Sequence, residues 1–224
     1  MNQPRPPGNE PVEQTRRTNG RRASATLACM DPILGKLIRR VGPHRPIITP
    51  DPFSALFCSI VQQQISMAAA AAVQKRLRLL CPRGRFTPKA ILARSAVELR
   101  QAGLSHQKIR YVHDLSEHFA HGKLSAAALR RMPDDEVIDA TTQVHGVGRW
   151  TAEMLLIFCL ERADVWPIDD LGLRKAVRNF ARLREMPSAR AMTAAGEPWR
   201  GYRTYASWYL WRSLEGPFMP GISL

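Results

Sequence analysis

Two neighbouring carboxylates, Asp169 and Asp170, stand directly before L-G-L-R-K-A-V, a run with the apolar spacing of a helix. An aspartate there commonly caps the helix by accepting from its first N–H groups. It can also stabilise a developing cation, and the helix dipole then favours its charged form. Upstream, T-Q-V-H-G-V-G-R-W-T-A-E-M runs from Thr142 to Met154. Gly146 and Gly148 flank Val147, so the chain can turn sharply and open a helix. Helix starts attract phosphate through their N–H donors and their dipole. A turn that grips anions, a short helix and then a carboxylate is chemistry suited to a nucleic-acid backbone. Gln62-Gln63-Gln64 interrupt an apolar helical run, and Trp150, Trp166 and Trp199 offer aromatic faces. Taken one residue at a time, the plainer roles are capping for the aspartates, core packing for the tryptophans and a polar connection for the glutamines.

The whole chain agrees with a polyanionic partner. Its 224 residues carry a net charge of +14, and 45% are hydrophobic. That combination describes a folded body whose lysines and arginines displace counterions from phosphates. No apolar run approaches the length of a transmembrane helix, and residues 1–25 lack the apolar core of a signal peptide. Nucleic acid is therefore favoured over a membrane surface, in the cytosol or at the nucleoid. Cys29, Cys58, Cys81 and Cys159 are scattered, without C-x2-C metal spacing. Cys58 and Cys159 fall in apolar helical runs and read as small core residues.

The elements that must position these groups are helices. Residues 1–25, rich in Pro, Arg, Asn and Gly, read as a disordered basic arm, with Arg16, Arg17, Arg21 and Arg22 available to phosphates. The folded body is expected over 26–224. Asp31-Pro32 and Asp51-Pro52 are helix starts, and Gly42 ends the first of these helices. Ser66, Thr87, Ser95, Ser105 and Ser125 each precede an apolar periodic run as an N-cap. The spacing predicts helices near 87–94, 95–102, 105–121 and 125–131, with Pro133 opening one near 134–142. Another covers about 170–182, Ser188 recaps a short one, and Pro198 opens the last, which carries Trp199, Tyr202, Tyr205, Trp208, Tyr209 and Trp211. No alternating β-branched run reads as a strand. The expected fold is all-α: a compact bundle of about ten short helices.

V-H-G-V-G-R-W-T-A-E-M, followed by P-I-D-D-L-G-L-R at Pro167–Arg174, resembles the helix-hairpin-helix (HhH-GPD) DNA glycosylases. Within them the chain is similar to the 3-methyladenine DNA glycosylase II branch, the AlkA type. I-V-Q-Q-Q-I-S at Ile60–Ser66, G-L-S-H-Q-K-I-R-Y-V at Gly103–Val112 and P-W-R-G-Y-R-T-Y-A-S-W-Y at Pro198–Tyr209 support that branch. The resemblance covers roughly residues 31–215 and implies a two-lobed body with a helix-hairpin-helix motif at about 142–160, in the short form without an N-terminal β domain.

It implies a monofunctional enzyme that excises alkylated purines from double-stranded DNA. Asp170 becomes the catalytic carboxylate, with Asp169 the alternative one residue away. Trp150 and Trp199 line the base pocket; Met154 stands where a second aromatic is usual, and Trp166 would compensate. Gln64, with Gln63 beside it, fills the gap left by the extruded nucleotide. Gly146, Val147 and Gly148 offer N–H groups to phosphate, with Arg149 as charge partner. Carbonyls of Thr142, Val144 and Val147 would hold a structural Na+ or K+, and no other cofactor is expected. The four closely spaced C-terminal cysteines of iron–sulfur relatives are absent, because no cysteine follows Cys159. Trp150 occupies the position of the lysine that strand-cleaving relatives use, so no imine route is available. His145 stands where proline or lysine is usual and receives no catalytic role. The helix bearing His106 and Lys108 would pack beside the hairpin. The two lobes are expected to meet at a cleft holding Asp170, and the protein to act as a monomer. A non-catalytic helix-hairpin-helix binding module is the alternative class; such a module needs neither Asp170 nor an aromatic pocket.

Overall fold

Local capping chemistry builds the chain into helices. The computed structural model describes residues 10–215, and among them every regular element is helical. The order begins with α1 (Glu10–Met30) and α2 (Pro32–Val41). It continues with α3 (Pro52–Gln62), α4 (Met67–Leu79), α5 (Pro88–Leu92), α6 (Ala96–Gln101), α7 (His106–Ala120), α8 (Ala126–Arg131), α9 (Asp134–Thr142) and α10 (Arg149–Phe158). The last three are α11 (Leu171–Phe180), α12 (Ala189–Gly196) and α13 (Arg203–Ser213). Asp31 Oδ1 accepts the N–H groups of Ile33 and Leu34 at 2.9 and 3.0 Å and so opens α2. Asp51 does the same for Ser54 at 2.9 Å. Ser66, Thr87, Ser105, Ser125 and Ser188 each accept the N–H three residues on, and Ser95 with Glu98 forms a reciprocal capping box. Each cap contributes about 1 kcal/mol to its helix.

Contacts divide the chain into two compact units. The Ile47–Arg162 unit carries α3 to α10. Its core includes Phe53, Phe57 and Phe86, with the Phe57 and Phe86 rings 4.5 Å apart. Here α3 packs on α7 and α10, and α10 packs on α9. Cys159 is buried in this unit, and the apolar surroundings push its thiol up to about 12.

The described residues on either side form the other unit, in which α13 packs on α1, α2 and α11. Its core joins Leu27, Leu34, Leu37, Leu173, Met192, Tyr209 and Leu210. This corrects the reading of residues 1–25 as a disordered arm: from Glu10 the chain is helical. Ala23 and Leu27 lie one turn apart and are 3% and 0% exposed. Ser24 Oγ meets Tyr209 Oη at 2.8 Å. Composition averaged over the segment concealed this one apolar face. Residues 1–9 and the side chains of Arg16 and Arg17 lie outside the described residues. The last helix also differs. Pro198 opens only a 3-10 turn at Glu197–Trp199, and α13 begins at Arg203. Asp164 holds the intervening corner, accepting from Gly201 N–H at 2.7 Å and from the Arg203 guanidinium at 2.7 Å.

His44 packs against Tyr205 and Trp208, with ring centroids 4.8 Å away in each case. Burial pulls its imidazole down to about 4. In the unfolded chain it titrates near 6.5. Between these values the unfolded state binds the extra proton, so stability is complete above pH 6.5 and falls as pH drops toward 4. The expected loss from this residue is about 3 kcal/mol. Urea unfolding between pH 7 and pH 4.5 measures it, and His44→Leu should flatten that part of the slope. An unchanged slope in the variant would remove His44 as its source.

Candidate DNA interface and catalytic carboxylate

The hairpin joins α9 to α10. Gly146 adopts φ +84, which other residues reach only under strain. A Cβ there would lie 2.2 Å from the Tyr111 ring of α7, so the turn rests directly on that ring. Val147 N–H donates to Val144 O at 3.0 Å. That donor, expected to meet phosphate, is engaged inside the turn in the DNA-free protein. Gly148 caps α10 in extended conformation with no side-chain oxygen on the first turn. The positive end of the α10 dipole falls at this point. Arg149 stays largely exposed, while its Nε donates to the buried Glu153 at 3.1 Å.

Asp114, one turn further along α7, also grips the turn. Its Oδ2 accepts the His145 backbone N–H at 2.7 Å and meets the His145 ring Nδ1 at 2.8 Å. Burial pushes the Asp114 carboxyl up, but the two His145 hydrogen bonds and nearby His118 outweigh it, and the group sits below its ordinary range. His145 is thereby a brace for the hairpin.

The glutamine turn belongs to the same arrangement. Gln63 Nε2 donates to Gly146 O at 2.8 Å. Lys108 Nζ donates to Val61 O at 2.6 Å in the last turn of α3, and burial lowers its pKa. Gln64 is exposed at φ +58, a left-handed conformation costing roughly 1–3 kcal/mol in a residue other than glycine. Gln63, Gln64, Lys108, Tyr111, Gly146 and Gly148 line one pocket of about 410 Å³. The glutamine turn and the hairpin, far apart in sequence, are therefore tied together. On α10, Trp150 and Met154 are one turn apart on the same face, Trp150 45% exposed and Met154 half-buried. Thr151, Ala152, Leu155 and Leu156 face the core.

In the other unit, Asp170 is the N-cap of α11. Its Oδ1 accepts Leu173 N–H at 2.5 Å and Trp211 Nε1–H at 2.8 Å. The side chain is half-buried, whereas Asp169 is exposed. Of the two neighbours, Asp170 is the one held in place. Trp166 and Trp199 depart from expectation: they are 8% and 3% exposed and meet edge-on at 5.6 Å. The Trp166 indole donates to Met192 O at 2.7 Å, and that of Trp199 to Asp31 Oδ2 at 3.2 Å. Both are buried in the core of this unit. A large indole gains most from burial once its N–H has an internal partner, and both found one. Sequence reasoning passed over Asp114, and it placed Lys108 and Trp211 on their helices without the contacts they make; the partners of all three are distant in the chain and leave no local signal.

Among the described residues no group of three or more His, Cys, Asp or Glu could hold a metal ion, and no helix is long and apolar enough to cross a membrane.

Residues 57–201 match the model of the HhH-GPD superfamily of base excision DNA repair proteins. The chain belongs to that superfamily. An HhH-GPD relative, DNA-3-methyladenine glycosylase 1 of Schizosaccharomyces pombe, is 33% identical over 87% of each chain. The solved structure of the 3-methyladenine DNA glycosylase of that yeast in complex with abasic DNA superposes with a TM-score of 0.80 at 32% identity. It covers 89% of this chain and 100% of its own. A DNA-3-methyladenine glycosidase from Bacillus halodurans gives a TM-score of 0.79 at 33% identity, over 88% of this chain and 90% of its own. Thus α13, with Trp211, lies beyond the residues the HhH-GPD model matches.

Proposed function

We propose that this protein is a monofunctional DNA glycosylase that hydrolyses the N-glycosidic bond of alkylated purines, such as 3-methyladenine and 7-methylguanine, in double-stranded DNA. The observation that carries this reading is Asp170: a half-buried carboxylate at a helix start, held by two donors, in a chain of this superfamily.

An alkylated purine is already cationic, so it leaves with the bonding electrons as a neutral base and needs little acid catalysis. The sugar acquires oxocarbenium character as the C1′–N bond breaks. The Asp170 carboxylate stabilises that cation and orients the attacking water, whose oxygen bonds C1′ and whose proton passes to the carboxylate or to solvent. The damaged nucleotide must leave the stack first. Gln64, outward at the tip of its turn, fills the gap, with Gln63 anchoring that turn to the hairpin. Gly146, Gly148 and Arg149 engage the phosphates at the α10 start. Trp150, with Met154 beside it, meets the cationic base, and cation–π attraction is worth about 0.5–2 kcal/mol. A monovalent cation on the carbonyls of Thr142, Val144 and Val147 fits the same turn: Val144 O accepts one N–H and has a second lone pair for the ion. The protein would act as a monomer at the nucleoid.

Incubation with methylated duplex DNA tests this. Chromatography should detect free 3-methyladenine and 7-methylguanine, with strands intact until alkali cleaves the abasic sites. Borohydride should trap no covalent adduct, because Trp150 offers no amine. Bound DNA without base release would make the protein a binding module, and a trapped adduct would contradict the hydrolytic route.

A further inference from the structure

We propose that Trp211 is a positioning residue for Asp170, a role that rests on the reading of Asp170 as the catalytic carboxylate. Leu173 N–H and Trp211 Nε1–H converge on the same oxygen, Oδ1, one from α11 and one from α13. The terminal torsion of an aspartate is broad, so a single capping bond leaves the carboxylate plane free to turn. A second donor arriving from a different helix narrows that freedom and with it the directions in which Oδ2 can point. Electrostatic stabilisation of an oxocarbenium depends on that direction being set before the bond breaks.

The backbone makes room for this contact. A Cβ at Gly172 would lie 3.1 Å from Asp170 Oδ1 and 3.3 and 3.4 Å from Trp211 Cδ1 and Nε1. Indole and carboxylate thus close over a residue with no side chain, and any larger residue would crowd both. The half-buried Trp211 indole shields its donor, which strengthens a hydrogen bond to a charged acceptor.

Trp211→Phe keeps an aromatic ring and removes the N–H. Single-turnover base release should fall roughly 10–100-fold. Affinity for abasic-site DNA and the thermal midpoint should stay close to those of the parent. Parent-like release would overturn the proposal. A loss that tracks a lower thermal midpoint or weaker DNA binding would also overturn it, because it would show a packing role. Gly172→Ala serves if Trp211→Phe does not fold: it keeps the donor but crowds the pair, and should slow release several-fold with affinity unchanged. Unaltered release in that variant counts against the role. Asp170→Asn, run alongside, separates the two claims: a fully active Asn variant would sink the carboxylate assignment itself, and the role of Trp211 with it.

Discussion

Asp170→Asn should abolish measurable release of 3-methyladenine, a loss on the order of 10²–10⁴-fold, while abasic-site DNA still binds within a few-fold of the parent. The side-chain amide has the shape of the carboxylate. Its oxygen can accept the same two hydrogen bonds that Asp170 Oδ1 takes from Leu173 and Trp211. The cap of α11 is therefore kept, and the thermal midpoint should change little. What disappears is the negative charge, the one property an oxocarbenium requires. Chromatography of released bases under single-turnover conditions and fluorescence anisotropy on abasic-site DNA give the two readouts. Release at the parent rate would refute the assignment. If Asp169→Asn alone is inactive, the exposed neighbour is the working carboxylate.

Gly146→Ala is the second large effect. The added methyl would lie 2.2 Å from Tyr111 Cδ2, closer than real Cβ contacts come, at a φ of +84. The conformation by itself costs roughly 1–2 kcal/mol for alanine, and the ring must move as well. Gly146 O also receives Gln63, so the displacement passes to the glutamine turn. DNA affinity is expected to fall roughly 10–100-fold, consistent with losing one to two hydrogen-bonded contacts at the interface. Gly42→Ala is the natural comparison. It has φ +85 with nothing within 4 Å, so it isolates the backbone cost and should leave DNA binding intact. Shrinking the ring, by Tyr111→Ala combined with Gly146→Ala, should restore part of the affinity. Parent-like binding by the Gly146→Ala protein would show that the turn does not set the interface.

Sequence alone determined the helical character of this chain and most of its helix starts. Asp31, Asp51, Ser66, Thr87, Ser95, Ser105, Ser125 and Ser188 all cap as their neighbours predict, because a cap and its N–H partner lie within three residues. The superfamily was legible for a related reason: its motifs are short, contiguous and in order. Burial was not legible. Trp150, Trp166 and Trp199 look alike in sequence, yet the first is exposed and the other two are core, since periodicity says which residues share a face and not what covers it. The ties that position the candidate site were equally hidden. Gln63 reaches Gly146 across 83 positions, Trp211 reaches Asp170 across 41, and Asp114 reaches His145 across 31. Contacts of that span exist only once packing has brought the helices together, so the chain spells out its helices and its chemistry but leaves to tertiary structure which groups are held, and by what.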